Sequence, residues 1–230
     1  MAIKYKSVVP WGRSYQEYVG MFKLSESDLD KKILGCGDGP ASFNSVMKKR
    51  DKPVVSIDPI YQFSTAAIEK RIEDTYPVVI DQTRQHLDKF IWTRIRNIEE
   101  LAEIRMKAMR EFLKDYETGK NEGRYIYAEL PTLPFEDDQF DLVLSAHFLF
   151  FYSDNLTYEF HLQSIEEMLR VAPEVRIFPL LDVNAVRSPY ADRLIDRYSN
   201  RGFNASEIKV DYEFQKKGNT MLKIERIHNP

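Results

Sequence analysis

The sequence is short of several things, and each shortage narrows its function. It holds a single cysteine, Cys36, in 230 residues. No disulfide can form within the chain, and no Cys/His cluster with metal-ligand spacing exists. The four histidines, His86, His147, His161 and His228, show no metal spacing either, so no metal is expected. Neither sign of charge prevails: 33 Lys and Arg meet 36 Asp and Glu, for a net charge of −3. Nucleic-acid binders rely on phosphate contacts and carry a basic excess or stripe. Here the basic runs are short, Lys48-Lys49-Arg50 and Lys216-Lys217, and read as solvated faces. Nucleic acid is not an expected partner. No apolar run nears the roughly 18 residues that suggest a membrane span. Met1 to Lys6 lacks the apolar stretch of a secretory signal. The expectation is a cytoplasmic chain without membrane attachment. Internal repeats, low-complexity segments and a Gly-x-Ser-x-Gly nucleophile elbow are also missing.

What is present is globular in character: 43% hydrophobic, 30% charged, rich in Tyr (13) and Phe (14). The length suits one domain over 1–230. Tyr15, Tyr18, Val19 and Phe22 recur at helical spacing from Ser14 to Phe22. Ile33-Leu34 leads into Gly35-Cys36-Gly37-Asp38-Gly39, and Ala41 to Lys49 reads as a helix. Pro53-Val54-Val55-Ser56-Ile57-Asp58 is a buried strand ending on an acid. Strand, glycine loop, helix, strand: this is a βαβ unit. The connection over about 62–122 is long. Phe63 to Ile72 reads as a helix, and Ile95 to Tyr116 as an amphipathic one with Ile98, Leu101, Ile104, Ala108, Met109 and Phe112 inward. Tyr76 to Ile80 fits neither period. The stretch is either a helical cap or an elaborated crossover. Strands follow at Tyr125 to Ala128, Phe140 to Ser145 and Val175 to Leu181, with helices at Leu156 to Val171 and Tyr190 to Arg201. Ile208 to Phe214 and Thr220 to Ile227 read as a closing hairpin. The predicted fold is α/β: a Rossmann-like three-layer sandwich with a mostly parallel seven-stranded sheet, an antiparallel hairpin and a helical insertion.

The chemistry concentrates at the glycine loop. Glycines let backbone turn sharply and approach a ligand, and a following helix start offers N–H groups. Asp58 lies 19 residues past Gly39 at the end of the next strand, where a carboxylate can accept both ribose hydroxyls of a nucleoside. The spacing is Gly-x-Gly-x-Gly and not the Gly-x-Gly-x-x-Gly of dinucleotide binders. A nucleoside with an amino-acid tail needs no pyrophosphate cradle. That favours S-adenosylmethionine over NAD.

These residues resemble class I S-adenosylmethionine-dependent methyltransferases. Lys32-Ile-Leu-Gly-Cys-Gly-Asp-Gly39 looks like the family's first motif, and Val54-Val-Ser-Ile-Asp58 like its second. Glu129-Leu-Pro-Thr-Leu-Pro-Phe135 with Asp137 to Ser145 resembles the third-strand exit and fourth strand. Ser164 to Pro173 resembles the helix before the fifth strand. The likeness spans roughly residues 10 to 182. It implies that Gly35, Cys36, Gly37 and Gly39 face the methionine part of the cofactor and that Asp58 holds the ribose. Pro59 and Ile60 would line the adenine, Glu129 and Leu130 would meet its edge, and Ala146 would stand where cofactor and acceptor meet. One departure is clear. The family's acid two residues before the first glycine is Ile33 here, and Asp38 is the residue placed to compensate.

Methyl transfer from a sulfonium needs mainly alignment, plus a base when the nucleophile is a hydroxyl or acidic carbon. His147, at the fourth strand's end, is the first candidate for catalysis. Tyr152 is the second, and Asp154 is a further acceptor-side candidate. Tyr15 and Tyr18 are candidates to close over the cofactor. Ser145-Ala-His-Phe148 replaces the Asn/Asp-Pro-Pro-Tyr type motif of nucleic-acid N-methylating branches. The expectation is a methyltransferase for a small molecule. The alternatives are a cofactor-binding protein without catalysis, an NAD enzyme and an RNA methyltransferase. The sequence assigns no oligomeric state.

Overall fold

The computed structural model describes residues 9–52 and 54–227. The readings at Met1 to Lys6, Pro53 and His228 lie outside them. Ser14 opens the first helix, α1 (Tyr15–Phe22), by a reciprocal cap: its Oγ accepts from the Glu17 N–H, and the Glu17 carboxylate accepts from the Ser14 N–H. A single-turn α2 (Glu26–Leu29) is capped the same way by Ser25 and Asp28. Then come β1 (Ile33–Cys36), α3 (Phe43–Lys49) and β2 (Val54–Ile57). After a short turn, α4 (Thr65–Gln85) and α5 (Ile98–Asn121) fill the long connection to β3 (Tyr125–Ile126). The rest is β4 (Leu142–Ala146), α6 (Tyr158–Val171), β5 (Glu174–Phe178), α7 (Ala191–Ser199), β6 (Phe203–Lys209) and β7 (Thr220–Arg226).

The seven strands form one sheet in the order β3-β2-β1-β4-β5-β7-β6. The first five are parallel; Ile33 stands between Val54 and Leu142. β7 runs antiparallel to both β5 and β6. Period-two alternation divides the strands between two cores. Leu34, Cys36, Val143, Val175 and Ile177 face α6 and α7, meeting Ile165, Met168, Ala191 and Leu194. Ile33, Leu142, Leu144, Ala146 and Phe178 face the other way, meeting Tyr18, Met21 and Phe22 of α1 and Phe43 and Met47 of α3. Each of the buried Leu, Ile, Val, Phe and Met side chains among them contributes about 1.5–3 kcal/mol. The result is the Rossmann-like three-layer sandwich, with helices on both faces.

The long connection does two things. α5 packs against α3 and β3 as the crossover helix between β2 and β3, and α4 with residues 86–97 is added to it. A third core joins them: Ile68 and Ile72 of α4, Met109, Phe112 and Tyr116 of α5, and Tyr61 and Tyr125. α4 runs well past the predicted end at Ile72, through Pro77, because Val79, Ile80 and Thr83 extend its buried face. Tyr76 to Ile80 is therefore helical.

Two expectations fail in detail. Along α5, Arg105 takes the buried position and Ile104 is only half-buried. The hairpin's first strand is Phe203–Lys209, not Ile208 to Phe214. Gly202, at φ 80°, turns the chain directly after α7, so pairing starts at once with Phe203 opposite Arg226. Residues 210–219 are left to cross the sheet's carboxyl end.

Candidate active site

A cavity of about 570 Å³ opens at the carboxyl ends of the parallel strands, where α/β sheets bind ligands. The glycine loop forms its floor. The Gly37 N–H donates to the Ile57 carbonyl at 3.0 Å, tying the loop to β2. Gly37 has φ 71°, and a Cβ there would press on the Phe148 ring at 3.1 Å, so this position needs glycine on both counts. Gly39 donates its N–H to Asp58 Oδ2 at 2.9 Å, and Ile60 donates to Oδ1 at 2.8 Å. Asp58 is thus fixed between the loop and the turn that follows β2. Burial pushes its carboxyl up to about 6, against the pull of those two N–H groups.

Asp38 is the second acid of the floor and is buried, where Asp58 is half-buried. Its carboxylate accepts from Tyr18 Oη at 2.8 Å and Ser56 Oγ at 2.6 Å. Burial also lifts it to about 6. A Cβ on Gly35 would collide with this carboxylate, so Gly35 lets Asp38 fold back over the end of β1. Ile33 is fully buried in the core and offers no polar group. Gly35 and Cys36 do not border the cavity. Cys36 packs in the core, and burial pushes its thiol well up, which leaves no thiolate near neutrality.

The remaining predicted residues meet around this floor. Gly37, Gly39, Asp58, Pro59, Ile60, Glu129, Leu130, Ala146, His147 and Tyr152 all border the cavity. His147 follows β4 with φ 52°, a left-handed conformation that a histidine adopts only where its surroundings hold it. Its N–H donates to the Phe178 carbonyl at 2.6 Å. Its ring meets Phe151 and Phe178 edge-on, and Nδ1 is buried without a hydrogen-bond partner among the described residues. Burial, then the charges of Arg13 and Arg105, push its pKa well below the ordinary histidine range. The imidazole is neutral, and burial with the two guanidinium charges weakens it as a base. Tyr152 uses its hydroxyl to accept from the Val9 N–H at 3.2 Å, and burial raises its pKa; it anchors the entering chain. Tyr18 borders the cavity through its bond to Asp38, whereas Tyr15 stacks on Phe43 outside it. Asp154 is exposed and apart from the cavity.

Several cavity residues escaped the sequence reading. The Arg13 carbonyl accepts from the Ser42 N–H at 3.0 Å, which lays residues 9–13 along the loop. Arg105 of α5 forms a buried ion pair with Glu17 of α1, and Tyr212 donates to the other Glu17 oxygen at 2.7 Å. Burial raises the Glu17 carboxyl, but Arg105 and Arg13 outweigh it and hold it down at about 2. Above lies a roof. The Ile91 N–H donates to the Phe214 carbonyl at 2.7 Å, and the Lys216 N–H to that of Lys89 at 2.9 Å. Phe90 stacks on Phe214, with Trp92 edge-on to the same ring. The added segment and the β6–β7 connection close this side together. The signal for Arg105 was an arginine on an otherwise apolar helical stripe.

No protein-family model matches the chain. It is 35% identical over 226 residues to the uncharacterized protein MJ0045 of Methanocaldococcus jannaschii, covering 96% of this chain and 97% of that one. The chain belongs to the family of MJ0045. Among solved structures, magnesium protoporphyrin IX methyltransferase (ChlM) from Synechocystis PCC 6803 with bound SAM is similar at TM-score 0.50 and 9% identity, over 93% of this chain and 78% of that one. The PH0226 protein from Pyrococcus horikoshii OT3 aligns at TM-score 0.48 and 14% identity, over 93% and 91%. The likeness to ChlM shows that the chain shares that protein's Rossmann-like fold.

Proposed function

We propose that the protein is an S-adenosylmethionine-dependent methyltransferase acting on a small molecule. The observation that carries this is Asp58, locked beside the glycine loop in the floor of a largely apolar cavity. A carboxylate accepts about four hydrogen bonds. Asp58 gives one acceptor site on each oxygen to Gly39 and Ile60, so capacity remains on both for a ribose diol. The fit extends along the floor. Pro59, Ile60 and Leu130 offer apolar contact to an adenine, and Glu129 an acceptor for its amino group. Asp38 stands in for the acid absent at Ile33. ChlM, of similar fold, was crystallised with SAM.

When bound, S-adenosylmethionine supplies an electrophilic methyl group on a sulfonium. The chain's own work is alignment and exclusion of water. The Gly37–Phe148 contact and the Phe90–Phe214 roof shape the space beyond the loop. His147, at the end of β4, takes the proton of an acceptor hydroxyl or acidic carbon once bound ligand offsets the charges of Arg13 and Arg105 that weaken it as a base. The test is an acceptor screen with methyl-labelled S-adenosylmethionine. Transfer to a small molecule, lowered about 100-fold or more in His147→Ala, is the expected result. Cofactor binding without turnover across the screen favours the second reading, a cofactor-binding protein, for which Ile33 speaks. Strong, salt-dependent RNA binding would instead favour an RNA substrate.

A further inference from the structure

The cavity's side nearest His147 holds more positive charge than its own side chains neutralise. Arg105 is 1% exposed. Its Nη1 donates to Glu17, while Nε and Nη2 have no hydrogen-bond partner among the described residues. Arg13 lies beside it, spends Nη1 on the Trp11 carbonyl at 2.8 Å, and keeps a buried, unpartnered Nε. Both arginines border the cavity. Glu17, Tyr18, Tyr212 and His147 surround the pair. Tyr18 and Tyr212 donate their hydroxyl protons to carboxylates and remain neutral. His147 is neutral as well. Two guanidiniums therefore face a single carboxylate, Glu17, and burial with Arg105 pulls Arg13 down to about 10. A buried cation is stable only when paired, and a guanidinium presents a fork of N–H donors that fits carboxylate and phosphate oxygens. Around the pair the wall is aromatic: Trp11, Phe90, Phe151, Phe178 and Phe214.

We propose that Arg13 and Arg105 form an anion subsite, and that the methyl acceptor is a small, mainly apolar acid whose carboxylate or phosphate this pair receives. The inference rests on the methyltransferase reading and deepens it. The aromatic wall takes the body of such a molecule, and the arginine pair fixes which end points away from the transferred methyl. The cofactor's own carboxylate is the other source of an anion here, and the experiment separates the two.

Benzoate and its neutral counterpart benzamide are titrated calorimetrically into the free protein and into protein saturated with S-adenosylhomocysteine. The expected result is benzoate binding about tenfold tighter than benzamide in the saturated protein. Arg13→Gln removes that preference, and Arg105→Lys, which keeps the charge and spares Glu17, retains part of it. S-adenosylhomocysteine is compared with S-adenosyl-3-thiopropylamine, which lacks only the carboxylate; Arg13→Gln leaves their ratio unchanged. Equal binding of benzoate and benzamide in saturated protein overturns the proposal. So does exclusion of benzoate by S-adenosylhomocysteine together with a ratio that collapses in Arg13→Gln, which gives the pair to the cofactor. Failure of the methyltransferase reading is distinct: S-adenosylhomocysteine then does not bind, and any benzoate preference of the free protein marks an anion site with no methyl acceptor.

Discussion

Asp58 and Asp38 are the residues on which the floor of the cavity turns, and their chemistry has consequences that can be measured. Asp58→Ala removes the acceptor for a ribose diol and frees the Gly39 and Ile60 N–H groups. Hydrogen bonds to a charged partner contribute about 1.5–3 kcal/mol each, so loss of the two to the ribose diol lowers S-adenosylhomocysteine affinity by about 100-fold or more, with the melting temperature as the control for folding. Both acids titrate at about 6, raised from 3.8 by burial. Folding therefore takes up protons between those values. Their contribution to stability is fullest below 3.8 and is lost as pH rises through about 6. Glu17 has the opposite sign: held at about 2 against 4.5, its contribution is full above 4.5 and is lost as pH falls through about 2. A ligand that donates to Asp58 favours the ionised form. Its affinity should rise about tenfold from about pH 5 to about pH 7 and then level off. Titrations at several pH values check this, and a flat profile contradicts it. His147 and the glycines were legible because strand ends and loop glycines announce themselves by position. Arg13 was not, since nothing local distinguishes it; its placement comes from a backbone bond to Ser42 across the loop.

The elements around the cavity were legible in proportion to how strongly one period dominates them. β1, β2 and β4 read clearly because they are buried on both faces and nearly continuously apolar. β6 did not. Phe203–Lys209 is half-exposed at the sheet edge and carries Asn204, Ser206 and Glu207, whereas Val210 to Phe214 alternates better yet forms no strand. Its alternation serves another end: Val210 and Tyr212 pack in the core beside α1, while Tyr212 and Phe214 also reach the cavity. The roof was invisible in sequence because it joins residues 89–91 to 214–216, a pairing that no local period encodes. Phe214→Ala removes the ring that both Phe90 and Trp92 contact. About 1–3 kcal/mol of stability should go with it, and the apolar acceptor side should loosen while the Asp58 contacts stay intact. Thermal unfolding together with paired titrations of S-adenosylhomocysteine and benzoate reads both effects. Equal loss of both ligands would show that the roof supports the whole site and not one side of it.

At the scale of the molecule, the adjacency of β2, β1 and β4 sets Asp58, the glycine loop and His147 side by side at the carboxyl end of the sheet. A mostly parallel sheet closed by a hairpin was readable from the alternation of elements, whereas the order of its strands is set by which of them pair in three dimensions. Reading the long connection required the third dimension. α5 is an ordinary crossover helix that also delivers Arg105 to the cavity, and α4 adds a wall through Arg71, Val79 and Thr83. The basic run Lys48-Lys49-Arg50 is spent on Glu122, Glu111 and Glu26, so it presents no bare phosphate-binding stripe. The proposed function asks this one pocket to hold a nucleoside with an amino-acid tail beside a small acceptor. The most direct measurement is a calorimetric titration of the protein with S-adenosylmethionine and S-adenosylhomocysteine, with NAD alongside. Micromolar binding of the first two and none of NAD is the expected result. Absence of binding by both, or preference for NAD, would contradict the assignment.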